Sequence, residues 1–229
     1  MKPDLYYLDL DSLSLARLQH RLEQGDVLPG RRVLLGEIPE RFAILESLGI
    51  QSIGSLVAAL KTRKKIQDLA QWSGLPLDYL VVLAREAKSY IPKLVYLRDI
   101  PGVDPACVER LEAAGIKHSK HLFDRGRTIA KRKALSEQIG VPDDALLELV
   151  QLADLARIGG LGPAFVRLFH EAGAESIERL AQWSPEELWE CAHRVNEAKR
   201  YARVVPGLHD VKNYVAKAQE LPKAVEYGH

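Results

Sequence analysis

The chain repeats itself without a gap. Leu34-Leu35-Gly36-Glu37-Ile38-Pro39 through Gly49-Ile50 superimposes, 66 positions later, on Ile100-Pro101-Gly102-Val103-Asp104-Pro105 through Gly115-Ile116. The register holds downstream, where Thr62, Gly74, Pro76 and Asp78 match Thr128, Gly140, Pro142 and Asp144. A third copy begins at Ile158-Gly159-Gly160-Leu161-Gly162-Pro163 and runs to Gly173-Ala174. One supersecondary unit is used three times, so the fold must stack such units and function is read per unit.

The periodicity inside each copy is helical. Phe42, Leu45 and Leu48 form an apolar stripe in the first copy, and Val108, Leu111 and Ala114 take the same places in the second. Each stripe starts behind a proline (Pro39, Pro105, Pro163), whose fixed φ suits a first helical turn, and stops at a glycine (Gly49, Gly115, Gly173), the common residue after a helix. A second short helix follows, expected to be capped by Ser52, Ser119 or Ser176 and to send Leu56, Leu122 or Leu180 inward. Helices near 62–72 and 128–139 come next, then longer ones opening at Pro76 and Pro142, with Ser184-Pro185-Glu186-Glu187 in the third copy and a closing helix over 208–221. Two-residue alternation is confined to Tyr6-Tyr7-Leu8-Asp9-Leu10. The expectation is an all-α array of three tandem repeats. Pro92 marks a boundary, dividing an N-terminal helical extension with the first divergent repeat, 1–92, from the paired repeats and closing helix, 93–229.

Charge is segregated. The 229 residues carry a formal net charge of +1, which argues against retention on nucleic acid by bulk electrostatics. Yet residues 117–133 hold seven bases and the single acid Asp124, a net +6, while 134–192 hold eleven acids and three bases, a net −8. A polyanion would meet the middle repeat. The amino terminus lacks the apolar core of a secretory signal, and the most apolar stretch, Leu80–Ala84, is far too short for a bilayer span. With two cysteines only, a disulfide framework is not expected, and a reducing cytoplasm is the simplest home.

A short helix, then Ile-Pro-Gly-Val-Asp or Ile-Gly-Gly-Leu-Gly, then a helix ending in Ala-Gly-Ile resembles the helix-hairpin-helix motif. The arrangement is similar to the small helical domain at the front of archaeal and eukaryotic strand-exchange recombinases. From about Leu97 to Leu221 it looks more closely like an uncharacterised bacterial family of tandem helix-hairpin-helix proteins. The resemblance implies nucleic-acid contact through the backbone, without base reading. Glycine in such a hairpin admits left-handed angles and close approach, so successive N–H groups and the next helix terminus can face a phosphate. The residues implied are Gly102 and Val103 in one hairpin and Gly160, Leu161 and Gly162 in another, with Lys117, Lys120, Arg125, Arg127, Lys131, Arg132 and Lys133 as side-chain partners. Asp104 and Glu37 are unwelcome beside phosphate, and the cleanest hairpin, the third, has only Arg157 and Arg167 nearby in sequence. The competing reading is that the hairpins turn one helix onto the next and the positive run is a solvated face.

Enzymatic signatures are missing. His118 and His121 lack further metal ligands, Cys191 and His193 fall on different helix faces, and Cys107 replaces a stripe residue. No phosphate-binding loop, dinucleotide fingerprint or HExxH occurs. The expectation is a non-enzyme without cofactor or metal. Its partner is DNA or structured nucleic acid; the alternative is a protein partner or self-association through apolar surfaces that include Trp183 and Trp189, and no membrane is involved.

Overall fold

The computed structural model describes residues 4–24, 27 and 29–228, and their regular structure is helical throughout. The chain divides into two compact units, Asp9–Tyr90 and the segment Met1–Leu8 with Ile91–His229. Tyr6–Leu10, where the sequence alternates, lies in turns, and the extended pairings among the described residues are two isolated antiparallel bridges, Ser14 with Ser52 and Tyr96 with His118.

The first unit contains α1 (Leu15–Glu23), a 3-10 segment (Pro29–Leu35), α2 (Ile38–Ser47), α3 (Ile53–Ala59), α4 (Arg63–Ser73) and α5 (Leu77–Lys88). The second contains a short 3-10 turn (Leu97–Asp99), α6 (Pro105–Ala113), α7 (Ser119–Gly126), α8 (Ile129–Ile139), α9 (Asp143–Leu155), α10 (Pro163–Glu171), α11 (Ile177–Leu180), α12 (Pro185–Lys199) and α13 (Leu208–Glu220). Phe42 and Leu45 are buried as the stripe requires, whereas Leu48, beyond the end of α2, is 45% exposed.

The three copies end their first helix in the same way. Gly49, Gly115 and Gly173 have φ of 81°, 80° and 99°, and each donates to a carbonyl three residues back. The next residue reaches back five, Ile50 to Leu45, Ile116 to Leu111 and Ala174 to Phe169. This paired arrangement satisfies the last carbonyls of the helix and needs a left-handed residue, which glycine adopts without cost to a Cβ. The expected serine cap is present at Ser52 and Ser176 but not at Ser119. His118 occupies that position instead, its Nδ1 accepting from the His121 N–H at 3.3 Å. In register with Ser52, His118 is the true equivalent, and Ser119 points inward, its Oγ 2.6 Å from the Tyr6 hydroxyl and accepting from the Val95 N–H.

The bridges show how the units correspond. The Leu15 N–H donates to Gln51 and the Leu97 N–H to Lys117, while Ile53 and Ser119 donate back to Leu13 and Val95. The receiving residues keep the 66-residue register, but 14 and 96 do not. In the first copy α1 and the 3-10 segment are inserted between this strand-like contact and the turn; in the second, the three-residue 3-10 turn bridges the gap.

The second unit is organised around an apolar core running from Val95 through Leu122, Val150, Phe169 and Leu188 to Leu221. Within it lies a polar centre. Arg157 is fully buried, pairs with Asp154 at 2.6 Å, and donates to the carbonyls of Leu5, Tyr6 and Pro222. The other Asp154 oxygen accepts from the Ile177 N–H and the Tyr227 hydroxyl. These bonds draw Leu5–Tyr6 into the second unit and tie down its C-terminal segment, although Met1–Leu8 is contiguous in sequence with the first.

Candidate nucleic-acid interface

The second and third hairpins share one backbone plan. Gly102 and Gly160 are left-handed, at φ 74° and 95°, and Asp104 and Gly162 then stand at the N-caps of α6 and α10. In the first copy the left-handed residue is displaced to Glu37, φ 52°, which pairs with Arg41 at 2.9 Å. A carboxylate holding that position makes the first hairpin the poorest of the three for phosphate.

Each remaining hairpin is compromised differently. At the second, among the described residues, the N–H groups of Gly102 and Val103 find no acceptor. The N-terminus of α6, however, is already capped by an anion: Asp104 Oδ1 accepts from the Ala106 N–H at 2.9 Å and Oδ2 from the Cys107 thiol. Burial and that carboxylate push the Cys107 pKa up, in keeping with an inert packed thiol. At the third hairpin the glycine carbonyls are engaged from α13, Gly159 by Lys217 Nζ at 2.9 Å and Gly160 by the Tyr214 hydroxyl at 3.3 Å, and Leu161 is buried, its N–H closing the turn on Ile158. Burial raises the Tyr214 pKa to about 12, so its hydroxyl stays protonated and available as this donor. Gly162 leaves the amino terminus of α10 without a side-chain cap.

The two arginines closest in sequence to the third hairpin both turn inward. Arg157 serves the polar centre. Arg167, 2% exposed, donates Nε to Pro101 O at 2.7 Å and Nη1 to Glu148 at 2.5 Å, so it joins α10 to the second hairpin and to α9. The copies are thus brought together by an arginine that packing consumes.

The basic run 117–133 divides into two kinds of residue. Lys117, Arg125, Lys131 and Lys133 are exposed and Arg127 half-exposed. Lys120 is engaged by Asp124 at 2.8 Å and Asp4 at 3.1 Å; burial opposes its charge, but the two carboxylates prevail and hold its pKa above the ordinary lysine value. Arg132 is buried, donating to the carbonyls of Gly126 and Glu226, and burial depresses its pKa against the opposing pull of Tyr227 and Glu226. Lys131 also has a local task. Its Nζ donates to Asp124 O near the end of α7, as Lys65 Nζ does to Ala58 O near the end of α3, 66 residues earlier. A cation on orphan carbonyls complements the helix dipole. The recurrence of positive charge in both copies therefore has a structural cause.

Three participants carry weak sequence signals. Lys217 lies on the same stripe of α13 as Val211, Tyr214 and Ala218, and a lysine on an apolar stripe is the sign that it seeks a buried acceptor. Glu226 accepts from the Ile129 N–H at 3.2 Å and closes over the start of α8, and no local pattern marks it. Trp72 is 76% exposed on α4, whereas Trp183 and Trp189, candidates for docking, are half-buried against the core. Among the described residues no group of histidine, cysteine and carboxylate side chains is arranged to hold a metal, and no helix is long and apolar enough to cross a membrane.

Comparison with curated proteins and with solved structures yields no match to either. A family model does match, over residues 101–221, just over half of the chain and all of α6–α13. The second and third hairpins, the Asp154–Arg157 pair and the closing helix thus fall within the matched segment, and the chain belongs to the family described as a domain of unknown function, DUF4332.

Proposed function

We propose that this is a non-enzymatic protein of tandem helix-hairpin-helix character that binds nucleic acid by its phosphates, through side chains at the α7–α8 corner and without reading bases. The observation that carries the proposal is the set Lys117, Arg125, Arg127, Lys131 and Lys133, exposed or half-exposed from just before α7 to the first turns of α8. None of them is paired to a carboxylate among the described residues, in contrast to Lys120. Point charges of this kind contact phosphate oxygens and give affinity without sequence preference. The Gly102 and Val103 N–H groups are available to a strand that reaches them, whereas the third hairpin acts in packing.

Fluorescence anisotropy with a labelled duplex, a single strand and a fork, titrated from about 50 to 200 mM salt, tests this. Binding with a log–log salt slope equivalent to roughly three to five phosphates is expected, lowered by about 0.9 for each exposed cation replaced by glutamine. Absence of binding at the lowest salt, or binding unchanged after all five replacements, overturns it.

A protein adaptor is the second reading, favoured by Trp72. A tryptophan 76% exposed, with Leu77 46% exposed at the start of the following helix, forms an apolar spot suited to a foreign partner. In that case Trp72→Ala abolishes capture of the partner and leaves nucleic-acid behaviour untouched.

A further inference from the structure

On the flank of the second unit opposite α7, α9 and α10 border an open cleft of about 440 Å³, with Asp144, Glu148, Gln151, Arg167, His170, Glu171 and Glu175 in its wall. Of its four carboxylates, Glu148 and Glu171 pair with Arg167 at 2.5 and 3.4 Å and Glu175 pairs with Arg179 at 2.7 Å, while Asp144 has no cation among the described residues. Arg167 is itself almost wholly buried, and its Nη2 has no hydrogen-bond partner. The cleft therefore carries more carboxylates than its own arginines neutralise and one buried donor without an acceptor, a mixture suited to a folded protein surface more than to a simple ion.

The placement of the two charged faces follows from α9. Asp144, Glu148 and Gln151 form one stripe of the helix and line the cleft. Val150 lies about 200° around from Glu148 at the normal helical pitch. It packs on α7, where a Cβ added to Gly126 would fall 2.7 Å from it. Arg125 and Arg127 flank that glycine. The cleft and α7, which carries Arg125, thus stand on opposite sides of α9. A unit polarised in this way has a complementary partner in another copy of itself.

We infer that the protein self-associates head to tail, the exposed cations of the 117–133 run of one copy, Lys117, Arg125 and Lys133 among them, docking into the α9–α10 acidic cleft of the next. Such a contact uses two different patches and does not close on itself at two copies, so it extends into chains or a ring. Its strength is electrostatic and falls with salt. A nucleic acid held at the α7–α8 corner competes for the same basic face, but the association needs none.

The experiment is the solution mass of the full chain by multi-angle light scattering, at about 50 and about 500 mM salt, without nucleic acid. Two variants are compared: Lys117→Gln/Arg125→Gln/Lys133→Gln, and Asp144→Asn/Glu175→Gln; both leave the Arg167 bonds intact, and the second gives up only the exposed Glu175–Arg179 pair. The wild type is expected to form species larger than a dimer at low salt and to revert to the monomer at high salt. Each variant alone is expected to be monomeric, its association weakened roughly tenfold or more. An equimolar mixture of the two retains one good face on each partner and is expected to stop at a one-to-one dimer. A wild type monomeric at low salt, variants that assemble like the wild type, or a mixture that stays monomeric overturns the inference. Because nucleic acid is absent, these outcomes are independent of whether the protein binds it.

Discussion

Asp154, near the end of α9, and Arg157, just beyond it, form an ion pair of 2.6 Å with side chains 3% and 0% exposed. A buried pair offsets its desolvation only when every remaining donor and acceptor is used. Here each nitrogen of Arg157 and each oxygen of Asp154 has a partner: Arg157 also reaches Leu5, Tyr6 and Pro222 and lies over the Phe123 ring, while Asp154 accepts from Ile177 and Tyr227. The pair is therefore the point at which both chain-terminal segments of the second unit are held.

Removing one partner leaves a buried charge uncompensated. Arg157→Met is expected to lower stability by about 3–5 kcal/mol in urea unfolding, and limited proteolysis of the folded variant should cut first near Leu5 and beyond Pro222. A loss under about 1 kcal/mol would show that solvent reaches the pair and that the segments are held by apolar packing instead.

Stability should fall on mild acidification. The His118 pKa is lowered by burial and then by His121 and Lys120; that of His170 is lowered by burial and then by Arg167, against the neighbouring carboxylates. The unfolded chain therefore takes up protons first. Stability is full above the unfolded histidine value of about 6.5 and is lost as pH drops through it toward the lower folded values. Since His118 Nδ1 must be unprotonated to cap α7, His118→Ser, the residue found at the same place in the other copies, should keep stability near pH 8 within about 0.5 kcal/mol and give a shallower decline toward pH 5. Parallel pH curves for wild type and variant would show that His118 is not responsible.

The basic run should separate by function when its members are changed singly. Arg132→Gln strips buried carbonyls of their donor and is expected to cost about 1–3 kcal/mol of stability. Lys131→Gln, which removes the cation from Asp124 O, should cost about 0.3–1 kcal/mol, and Lys65→Gln the same in the first unit. Lys133→Gln should leave unfolding unchanged within about 0.5 kcal/mol and alter only the salt dependence of nucleic-acid binding. Urea titrations at one ionic strength order the four variants; equal losses would refute the division.

The local features of this protein were legible because their causes are local. Proline before a stripe and glycine after it announce α6 and α10 and the left-handed termini at Gly115 and Gly173, since backbone angles of that kind are chosen by the residue itself. The single slip of register, Ser119 for His118, arose because histidine is an uncommon cap and the neighbouring serine a common one.

Which charges face outward was not legible, because burial of a charge depends on acceptors far away in the chain. Arg132 finds its carbonyl at Glu226, Arg167 at Pro101, and Lys217 at Gly159. In sequence these are ordinary cations, and the seven bases of 117–133 read as one patch when five remain available.

By itself, then, the sequence determined the repeat, its helices and their endings, all set by steric preferences and apolar spacing over a few residues. The tertiary structure alone decided that the third hairpin packs on α13, that Leu5 and Tyr6 belong with Arg157, and that the acidic cleft and α7 stand on opposite sides of α9. The reason is the same in each case: a buried donor must be satisfied wherever an acceptor happens to be folded beside it, and that proximity is a property of the packed chain rather than of any segment.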